Sequence, residues 1–408
     1  MDFELQARTD SGRRLVALAE RLAADFAARA ADHDRDGSYP HEDVAALRES
    51  GYLSAPIPQE LGGLGVESVH DLLVAASRLS RGQPSVAIGA NMHWIPLVNI
   101  AQLRRGATIG GDTARATAYA RALEAIVRDG VVIAMAISEP GQDLTRPATR
   151  ARREGDGWTV SGRKIFATMS PAATLLYAAV TFGDGDGERY GYAQIPAGAP
   201  GVTIHDDWDA LGMRASGSGS VSFDDVRLPA SALGGGFPVG DADDYMVRNL
   251  AAGAFHAAAS LGIAEAAHAL AVGAAARRAA DDGPPAHTQI VAAESAIELS
   301  AIRAVLQRAG ALLDEHHLSG AAWDEEEGEG PVALFAEVQA AKTFINEAAV
   351  GVVDRALALS GGAGYMAAHP LARAYRDVRA GAFMHPLGAN RAYELIGEVA
   401  LGIEPTLH

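Results

Sequence analysis

The spacing of the apolar residues changes twice along this chain of 408 residues, and that order limits the folds open to it. In residues 11–130 apolar side chains recur every three or four positions, as Leu15 and Leu18 do, which indicates helices. In residues 131–237 short apolar runs alternate with period two between Gly, Asp and Pro turns, a pattern typical of strands. After residue 238 the helical spacing returns. The pattern predicts a multi-domain α+β protein.

This order divides the chain into three predicted domains. We expect an N-terminal α-helical domain in residues 1–130, a β-barrel-like domain in residues 131–237 and a C-terminal four-helix bundle in residues 238–408. The bundle prediction rests on long alanine-rich amphipathic stretches, because successive helices of this kind bury their apolar faces against one another. These stretches are residues 249–280, 288–313, 332–359 and 390–401.

Composition excludes several classes of function. The net charge of −17 argues against nucleic-acid binding, which needs a clustered basic face. The chain contains no cysteine, so disulfides and thiolate metal ligands are excluded, and we expect no metal site. No uncharged apolar run reaches about 18 residues, and the N-terminus lacks a basic and apolar leader. We therefore expect a cytoplasmic protein without a membrane span.

A glycine-rich motif and a basic motif lie close together near the C-terminus. The first reads Ala-Leu-Ser-Gly-Gly-Ala-Gly-Tyr in residues 358–365, and the second reads His-Pro-Leu-Ala-Arg-Ala-Tyr-Arg-Asp-Val-Arg in residues 369–379. Together they resemble the C-terminal signature of acyl-CoA dehydrogenases. Residues 134–141, 156–166 and 223–229 resemble further segments of that family, in the same order. The resemblance implies the acyl-CoA dehydrogenase fold and a flavin, FAD or FMN, between the β domain and the bundle.

His385 is the residue that departs most from this resemblance. Six residues after the last arginine of the signature, acyl-CoA dehydrogenases usually carry the glutamate that removes the α-proton of an acyl-CoA thioester. Here the run reads Phe-Met-His-Pro-Leu-Gly in residues 383–388. A carboxylate suits removal of a C–H proton in a dry pocket, whereas an imidazole titrates near neutrality and moves protons to or from oxygen. We predict that His385 is catalytic and that Met384 lines the substrate pocket.

The resemblance also implies contacts to the flavin ring. Ile137 and Ser138 would meet the pyrimidine side of the isoalloxazine through backbone and hydroxyl hydrogen bonds. Phe166 would flank the ring, and Thr168 would lie near its N5 atom. The alternative is that Ser138 and Thr168 are ordinary polar residues at strand ends and that Phe166 is a core residue.

Further from the ring, the resemblance is weaker. Gly361 and Gly362 would let a phosphate or adenine approach the backbone, although a helix C-terminal turn also uses glycines. The arginine motif that clamps the flavin pyrophosphate is altered here, so Arg277 or Arg278 would substitute for it and weaker retention of FAD is expected. On the helix predicted from residue 249, Ala252 and Gly253 occupy the positions of the thioester-contacting arginine and of the relocated glutamate found in some subfamilies.

His93 and Trp94 lie in the predicted N-terminal helical domain, which covers one side of the substrate pocket in this family. A lone histidine on an apolar helix is usually a core or pocket-wall residue. However, the flavin-dependent monooxygenase branch of the family, which includes dibenzothiophene monooxygenases and amine N-hydroxylases, resembles this chain in having histidines here and at the position of the lost glutamate. We therefore predict that His93 is catalytic and that Trp94 lines the substrate pocket.

The loop of residues 212–220 resembles the small-residue loop beside the flavin in these oxygenases. Its Arg214, Ser216 and Ser218 are predicted substrate-pocket residues, and a flexible β-turn is the alternative. Reduced flavin in that branch activates O₂ and transfers one oxygen atom to sulfur, nitrogen or an electron-rich ring, so imidazoles and hydroxyls are expected near it.

We expect a two-component monooxygenase that oxygenates a small molecule. A separate flavin reductase would supply the reduced flavin, since no nicotinamide-binding fingerprint is evident in the sequence. A homotetramer or dimer is expected, because the family completes its flavin site across a subunit interface. The alternatives are an acyl-CoA dehydrogenase with a base other than glutamate and a non-catalytic flavin-binding scaffold.

Overall fold

The computed structural model describes residues 3–141, 143–183, 185–279, 283–319 and 330–407. Its helices are α1 Asp10–Ala27, α2 Ala30–Asp36, α3 His41–Glu49, α4 Val69–Gly82, α5 Pro84–Ile109, α6 Thr113–Arg128, α7 Ala242–Arg248, α8 Ala252–Arg278, α9 Ala286–Ser319, α10 Pro331–Ser360, α11 Pro370–Asp377 and α12 Ala389–Ala400. The predicted order of a helical region, a sheet and a second helical region is confirmed.

The strands all lie between the two helical regions, and they form one sheet. They are β1 Ile133–Ala136, β2 Arg150–Glu154, β3 Gly157–Lys164, β4 Leu175–Phe182, β5 Arg189–Pro196, β6 Val202–Ile204, β7 Val221–Pro229 and β8 Phe237–Pro238. The strand order is β6-β7-β3-β2-β4-β5-β8, and β1 pairs in parallel with the first half of β4. Short 3₁₀ helices lie at Gln59–Leu61, Ser170–Ala172, Gly185–Gly187, Ala230–Ala232, Gly361–Ala363 and Val378–Phe383.

Strand β1 joins the sheet to the helices because its side chains alternate between two cores. Ala134 and Ala136 pack into the sheet's own core. Ile133 and Met135 point the other way and join the larger core that both helical regions share. The segment that follows β1 is thereby fixed between the sheet and the helices.

The two helical regions share their core because α8 packs against both. A buried carboxylate, Glu265 of α8, fixes this contact. It accepts hydrogen bonds from Arg81 of α4 at 2.7 Å and from Arg303 of α9 at 2.8 Å. A buried carboxylate with charged partners on two other helices holds α8 in one position relative to them.

Within the described residues, α8 is also long and apolar enough to cross a membrane. Length and composition alone are weak evidence for a span, since most of its apolar window is buried inside the protein, as in the core helix of a soluble fold.

Candidate functional site

A cavity of about 510 Å³ opens where the sheet meets α5, α8 and the segment before α12. Its walls come from all three regions of the chain. Loops at strand ends contribute Ser138, Phe166 and Thr168, and α8 contributes His256. Met384 and His385 close the side formed by the C-terminal region. Residues that are far apart in sequence thus meet at one site, and seven of the residues that line it are predicted site residues.

Hydrogen bonds between loops set the backbone of this wall. The amide of Ile165 donates to the carbonyl of Ser138 at 2.9 Å, which ties the end of β3 to the end of β1. The amides of Ala167 and Met169 donate to the carbonyls of Gly219 and Ser216, each at 3.0 Å. The loop that carries Phe166 and Thr168 is therefore held from both sides.

Phe166 has a strained backbone and an exposed ring. Its φ of 56° lies in the left-handed region, which costs a bulky residue about 1–2 kcal/mol. Its side chain is 58% exposed and meets the Trp208 ring edge-on, with ring centroids 6.0 Å apart. A strained aromatic residue that is not used for core packing is typical of a ligand-facing position. The position agrees with the predicted contact to a flavin ring.

A chain of hydroxyl groups crosses the cavity wall. The Thr168 Oγ1 lies 2.9 Å from the Ser218 Oγ, which lies 2.7 Å from the Ser216 Oγ. Each hydroxyl can donate one hydrogen bond and accept others, so the chain can reorient to present a donor or an acceptor to a ligand. The structure thus brings Thr168, Ser216 and Ser218 to one cavity, and their contacts to a flavin or a substrate stay predictions.

Behind this wall, a buried ion pair supports the two strand ends. The Lys164 Nζ lies 2.6 Å from the Glu139 Oε1 and also donates to the carbonyl of Ile137 at 3.2 Å. Glu139 accepts further hydrogen bonds from the amides of Ala148 and Thr149. Although burial alone would raise it, the Lys164 ammonium and these donors lower the pKa of Glu139. Ile137 does not line the cavity with its side chain, and its carbonyl is bonded to Lys164.

His385 hydrogen-bonds to a buried asparagine. Its Nε2 lies 2.8 Å from the Asn249 Oδ1, and the Asn249 amide N–H in turn donates to the carbonyl of Tyr245. Since the asparagine oxygen accepts, the His385 proton lies on Nε2, and Nδ1 is the ring nitrogen left for a ligand. Burial, and next the charge of Lys342, lower the pKa of His385 to about 3. The expectation that this imidazole titrates near neutrality is corrected, because it is neutral at pH 7.

Lys342 of α10 anchors the segment that carries His385. Its side chain is only 2% exposed, and its Nζ donates to the carbonyls of Met384 and Leu387, the second at 2.6 Å. These carbonyls lie on either side of His385 in the chain. Burial lowers the pKa of Lys342 to about 7, since no carboxylate among the described residues pairs with it. Lys342 therefore both positions His385 and disfavours its protonation.

Replacing Lys342 by methionine should raise the pKa of His385, because the charge that disfavours the imidazolium is removed. Titration of the histidine ring C–H signals by NMR measures this change directly, and His385→Ala identifies the signal. The neighbouring Thr343→Val variant is the control and should leave the titration unchanged. A His385 pKa that is equal in wild type and Lys342→Met would contradict the assigned role.

His93 does not line this cavity, so its catalytic role stays a prediction. It is 1% exposed, and its Nδ1 accepts a hydrogen bond from the amide of Ile133 at 2.9 Å. Burial lowers the pKa of His93 to about 4, and a backbone hydrogen bond to Leu53 opposes part of that shift. The ring joins α5 to β1 as a neutral structural group. Trp94 also lies in the core, where its Nε1 donates to the carbonyl of Tyr52.

Three other predicted contacts lie away from the cavity wall. The Arg214 Nε donates to the carbonyl of Asp34, so this guanidinium ties the 212–220 loop to α2. Arg278 donates to the carbonyls at the end of α10 and caps that helix within its own chain. Gly361 and Gly362 are exposed just beyond it, and Gly361 has a φ of 66°. The glycines form a helix-terminal turn with open space around them.

Sequence reasoning missed three residues of this region: Asn249, His256 and Lys342. His256 lies in an alanine-rich helix, where it reads as a core residue, yet it lines the cavity. Asn249 and Lys342 belong to no motif. Lys342 is the only lysine of α10, but nothing in its local sequence distinguishes it from an exposed charged residue.

The chemical character of the cavity follows from these groups. Neutral imidazoles, hydroxyls, apolar side chains and the two arginines Arg376 and Arg379 line it. Among the described residues that line it, none is a carboxylate. The described part of the chain also contains no cluster of His, Asp and Glu that could hold a metal ion. The site can donate and accept hydrogen bonds but lacks an anionic base.

Comparisons with known proteins assign all three regions of the chain to one family. Family models match residues 9–103, 134–226 and 244–390 as the N-terminal, middle and C-terminal domains of acyl-CoA dehydrogenases. An amino sugar nitrososynthase of Streptomyces rubradiris is 37% identical over 98% of this chain and 92% of its own length.

Two solved structures are similar over nearly the whole chain. The structure of KijD3 in complex with FMN and dTDP-3-amino-2,3,6-trideoxy-4-keto-3-methyl-D-glucose has a TM-score of 0.87 and 32% identity, covering 98% of this chain and 95% of KijD3. A nitrososynthase of Micromonospora carbonacea has a TM-score of 0.86 and 31% identity, covering 99% of this chain and 100% of its own.

Proposed function

Because the chain belongs to the acyl-CoA dehydrogenase family and is a flavin-dependent oxidoreductase, we propose that it uses reduced flavin and O₂ to oxygenate the amine nitrogen of a nucleotide-linked amino sugar. One observation carries the choice of oxygenation over dehydrogenation: no carboxylate lines the cavity among the described residues. The glutamate position is occupied by His385, a neutral imidazole. An imidazole whose pKa is about 3 is too weak a base to remove an α-proton efficiently, whereas oxygen transfer to an amine needs no such base.

The substrate class is supported by the relatives. The name of the Streptomyces rubradiris relative describes an amino sugar nitrososynthase, and KijD3 was solved with an amino sugar nucleotide. For this chain, the proposed net reaction converts R–NH₂ to R–NHOH. One atom of O₂ goes to nitrogen, the other leaves as water, and reduced flavin provides the two electrons.

The cavity suits a flavin ring on chemical grounds. Phe166 offers an exposed aromatic face at a strained position, while Ser138 and Thr168 offer hydroxyls at the loops beside it. These residues would hold the ring, which when reduced activates O₂ for oxygen transfer. The family resemblance and the FMN bound to KijD3 support this assignment. We take FMN as sufficient, since Arg278 is used as a helix cap rather than left free for a pyrophosphate.

The chain's own groups would orient the amine and supply hydrogen bonds. His385 presents Nδ1 as an acceptor for a substrate N–H, and Asn249 holds the ring in that tautomer. The Thr168, Ser218 and Ser216 hydroxyls can pass a proton along the wall. Apolar side chains such as Met92 and Met213 limit the access of water.

We propose that a separate reductase supplies the reduced flavin and that the protein is cytoplasmic.

The decisive assay supplies FMN, NADH, a flavin reductase, O₂ and the amino sugar nucleotide that was bound to KijD3. Formation of a hydroxylamine that requires both proteins supports the proposal. Turnover with NADH alone would refute the two-component part, and no oxidation of any amino sugar nucleotide would refute the substrate class.

Assembly is a further part of the proposal. Large apolar side chains stay exposed on the C-terminal helices, including Ile290 and Ile297 of α9 and Phe344 of α10. We expect a homotetramer or dimer that covers them. Sedimentation at micromolar concentration with FMN present measures this, and a monomer as the sole species would contradict it.

Acyl-CoA substrates should not reduce the bound flavin. Besides the loss of the base at His385, the relocated position carries Gly253, where a larger side chain would crowd two side chains of α10. A Cβ atom on Gly253 would lie 3.0 Å from the Gln339 Nε2 and 3.4 Å from Lys342. Anaerobic titration with acyl-CoAs of several chain lengths should leave the flavin absorbance unchanged. Bleaching by any of them would favour the dehydrogenase alternative.

A further inference from the structure

His256 is a buried polar group that the rest of the protein leaves without a hydrogen bond. It lies on α8, one turn after Gly253, and is 4% exposed. Neither of its ring nitrogens has a hydrogen-bond partner among the described residues. The ring lines the same cavity as His385 and Thr168. A buried polar group without a partner costs free energy, so its retention calls for a ligand that pairs with it.

The charges around His256 keep its ring neutral. Burial, then the Lys342 ammonium and then His385, lower the pKa of His256 far below its usual range. From the facing α10, Gln339 adds only a neutral amide near Gly253. The cavity wall contributes no carboxylate among the described residues. A neutral imidazole offers one N–H donor and one nitrogen acceptor.

We propose that His256 is a specificity-determining residue that hydrogen-bonds a neutral amine or hydroxyl of the substrate at the floor of the cavity. A group of this kind can both donate and accept, which matches the imidazole. An ammonium group can only donate and would leave the ring's N–H without an acceptor, so the floor selects the uncharged amine that can act as a nucleophile. The identity of the substrate as an amino sugar rests on the proposed function.

Binding measurements on His256→Leu and His256→Gln test this proposal. The probes are dTDP-3-amino-2,3,6-trideoxy-4-keto-3-methyl-D-glucose and dTDP alone, measured by calorimetry. His256→Leu should bind the sugar nucleotide about 10-fold more weakly, as expected for a lost hydrogen bond, with dTDP and FMN binding unchanged. His256→Gln, which keeps a donor and an acceptor, should recover part of the loss. His268→Leu, on the same helix but off the cavity, is the matched control.

A second measurement does not depend on the substrate. Because His256 has no intramolecular partner, His256→Leu should melt at the same temperature as the wild type or higher. If both His256 variants melt well below the wild type, the histidine is structural and the proposal is overturned. Equal weakening of both nucleotides would also overturn it. If the wild type binds neither nucleotide, the proposed substrate class fails, and the melting temperatures still decide whether His256 is kept for packing.

Discussion

Replacing His385 by alanine should lower the yield of oxygenated product per flavin oxidised by about 10²-fold, the size of loss expected when a reacting group is misplaced. In the proposed function the neutral ring accepts a substrate N–H at Nδ1, and Asn249 orients the ring through Nε2. Without it, reduced flavin should still bind and react with O₂, but hydrogen peroxide should replace product. The measurement is the ratio of product to peroxide under identical supply of reductant.

Two controls sharpen this experiment. His287→Ala changes an exposed histidine outside the cavity and should leave the ratio unchanged. Asn249→Ala should lower the ratio less than His385→Ala, because it frees the ring without removing it. Since the pKa of His385 is about 3, its titration should be absent from the rate profile between pH 6 and pH 8. An unchanged ratio of product to peroxide in His385→Ala would mean that His385 only lines the pocket.

Replacing Glu139 by glutamine should destabilise the fold by about 3–5 kcal/mol, because it leaves the buried Lys164 ammonium without a counter-charge. Chemical denaturation followed by circular dichroism measures the free energy of unfolding. The double variant Glu139→Gln with Lys164→Met should recover much of the loss, since the stranded charge is then gone. The pair supports the strand ends that carry Ser138 and Phe166, so binding of the proposed FMN should weaken in the single variant.

An exposed ion pair in the same sheet provides the matched control. Arg227 and Glu154 lie 3.3 Å apart with both side chains largely exposed. Glu154→Gln should change the stability by less than about 1 kcal/mol. If Glu139→Gln lowered the free energy of unfolding as little as this control, the buried ion pair would not stabilise the strand ends at the site.

The fold was predictable from sequence because each region repeats its own spacing many times. The helical period in α8 and α10 and the alternation in β3 and β4 each rest on many residues, so single exceptions do not alter them. The position of His385 could be predicted because short motifs on both sides of the lost glutamate locate it. The resemblance to the flavin-dependent monooxygenase branch is confirmed by the nitrososynthase structures.

The parts of the site that could not be predicted depend on contacts between distant segments. His93 has the right spacing for a pocket residue, but its ring is turned towards the amide of Ile133, 40 residues away. His256 of α8 and Lys342 of α10 come close to each other only because the two helices pack together. Nothing in the local sequence tells whether a histidine in an alanine-rich helix meets a core or a cavity.

The most direct test of the proposed oxygenation is a single turnover in ¹⁸O₂. Protein loaded anaerobically with reduced FMN and the amino sugar nucleotide is mixed with ¹⁸O₂, and the product is analysed by mass spectrometry. The proposed function predicts a product that carries one ¹⁸O atom on nitrogen, with the second atom in water. A product that has lost two hydrogens and gained no label would contradict it and indicate dehydrogenation.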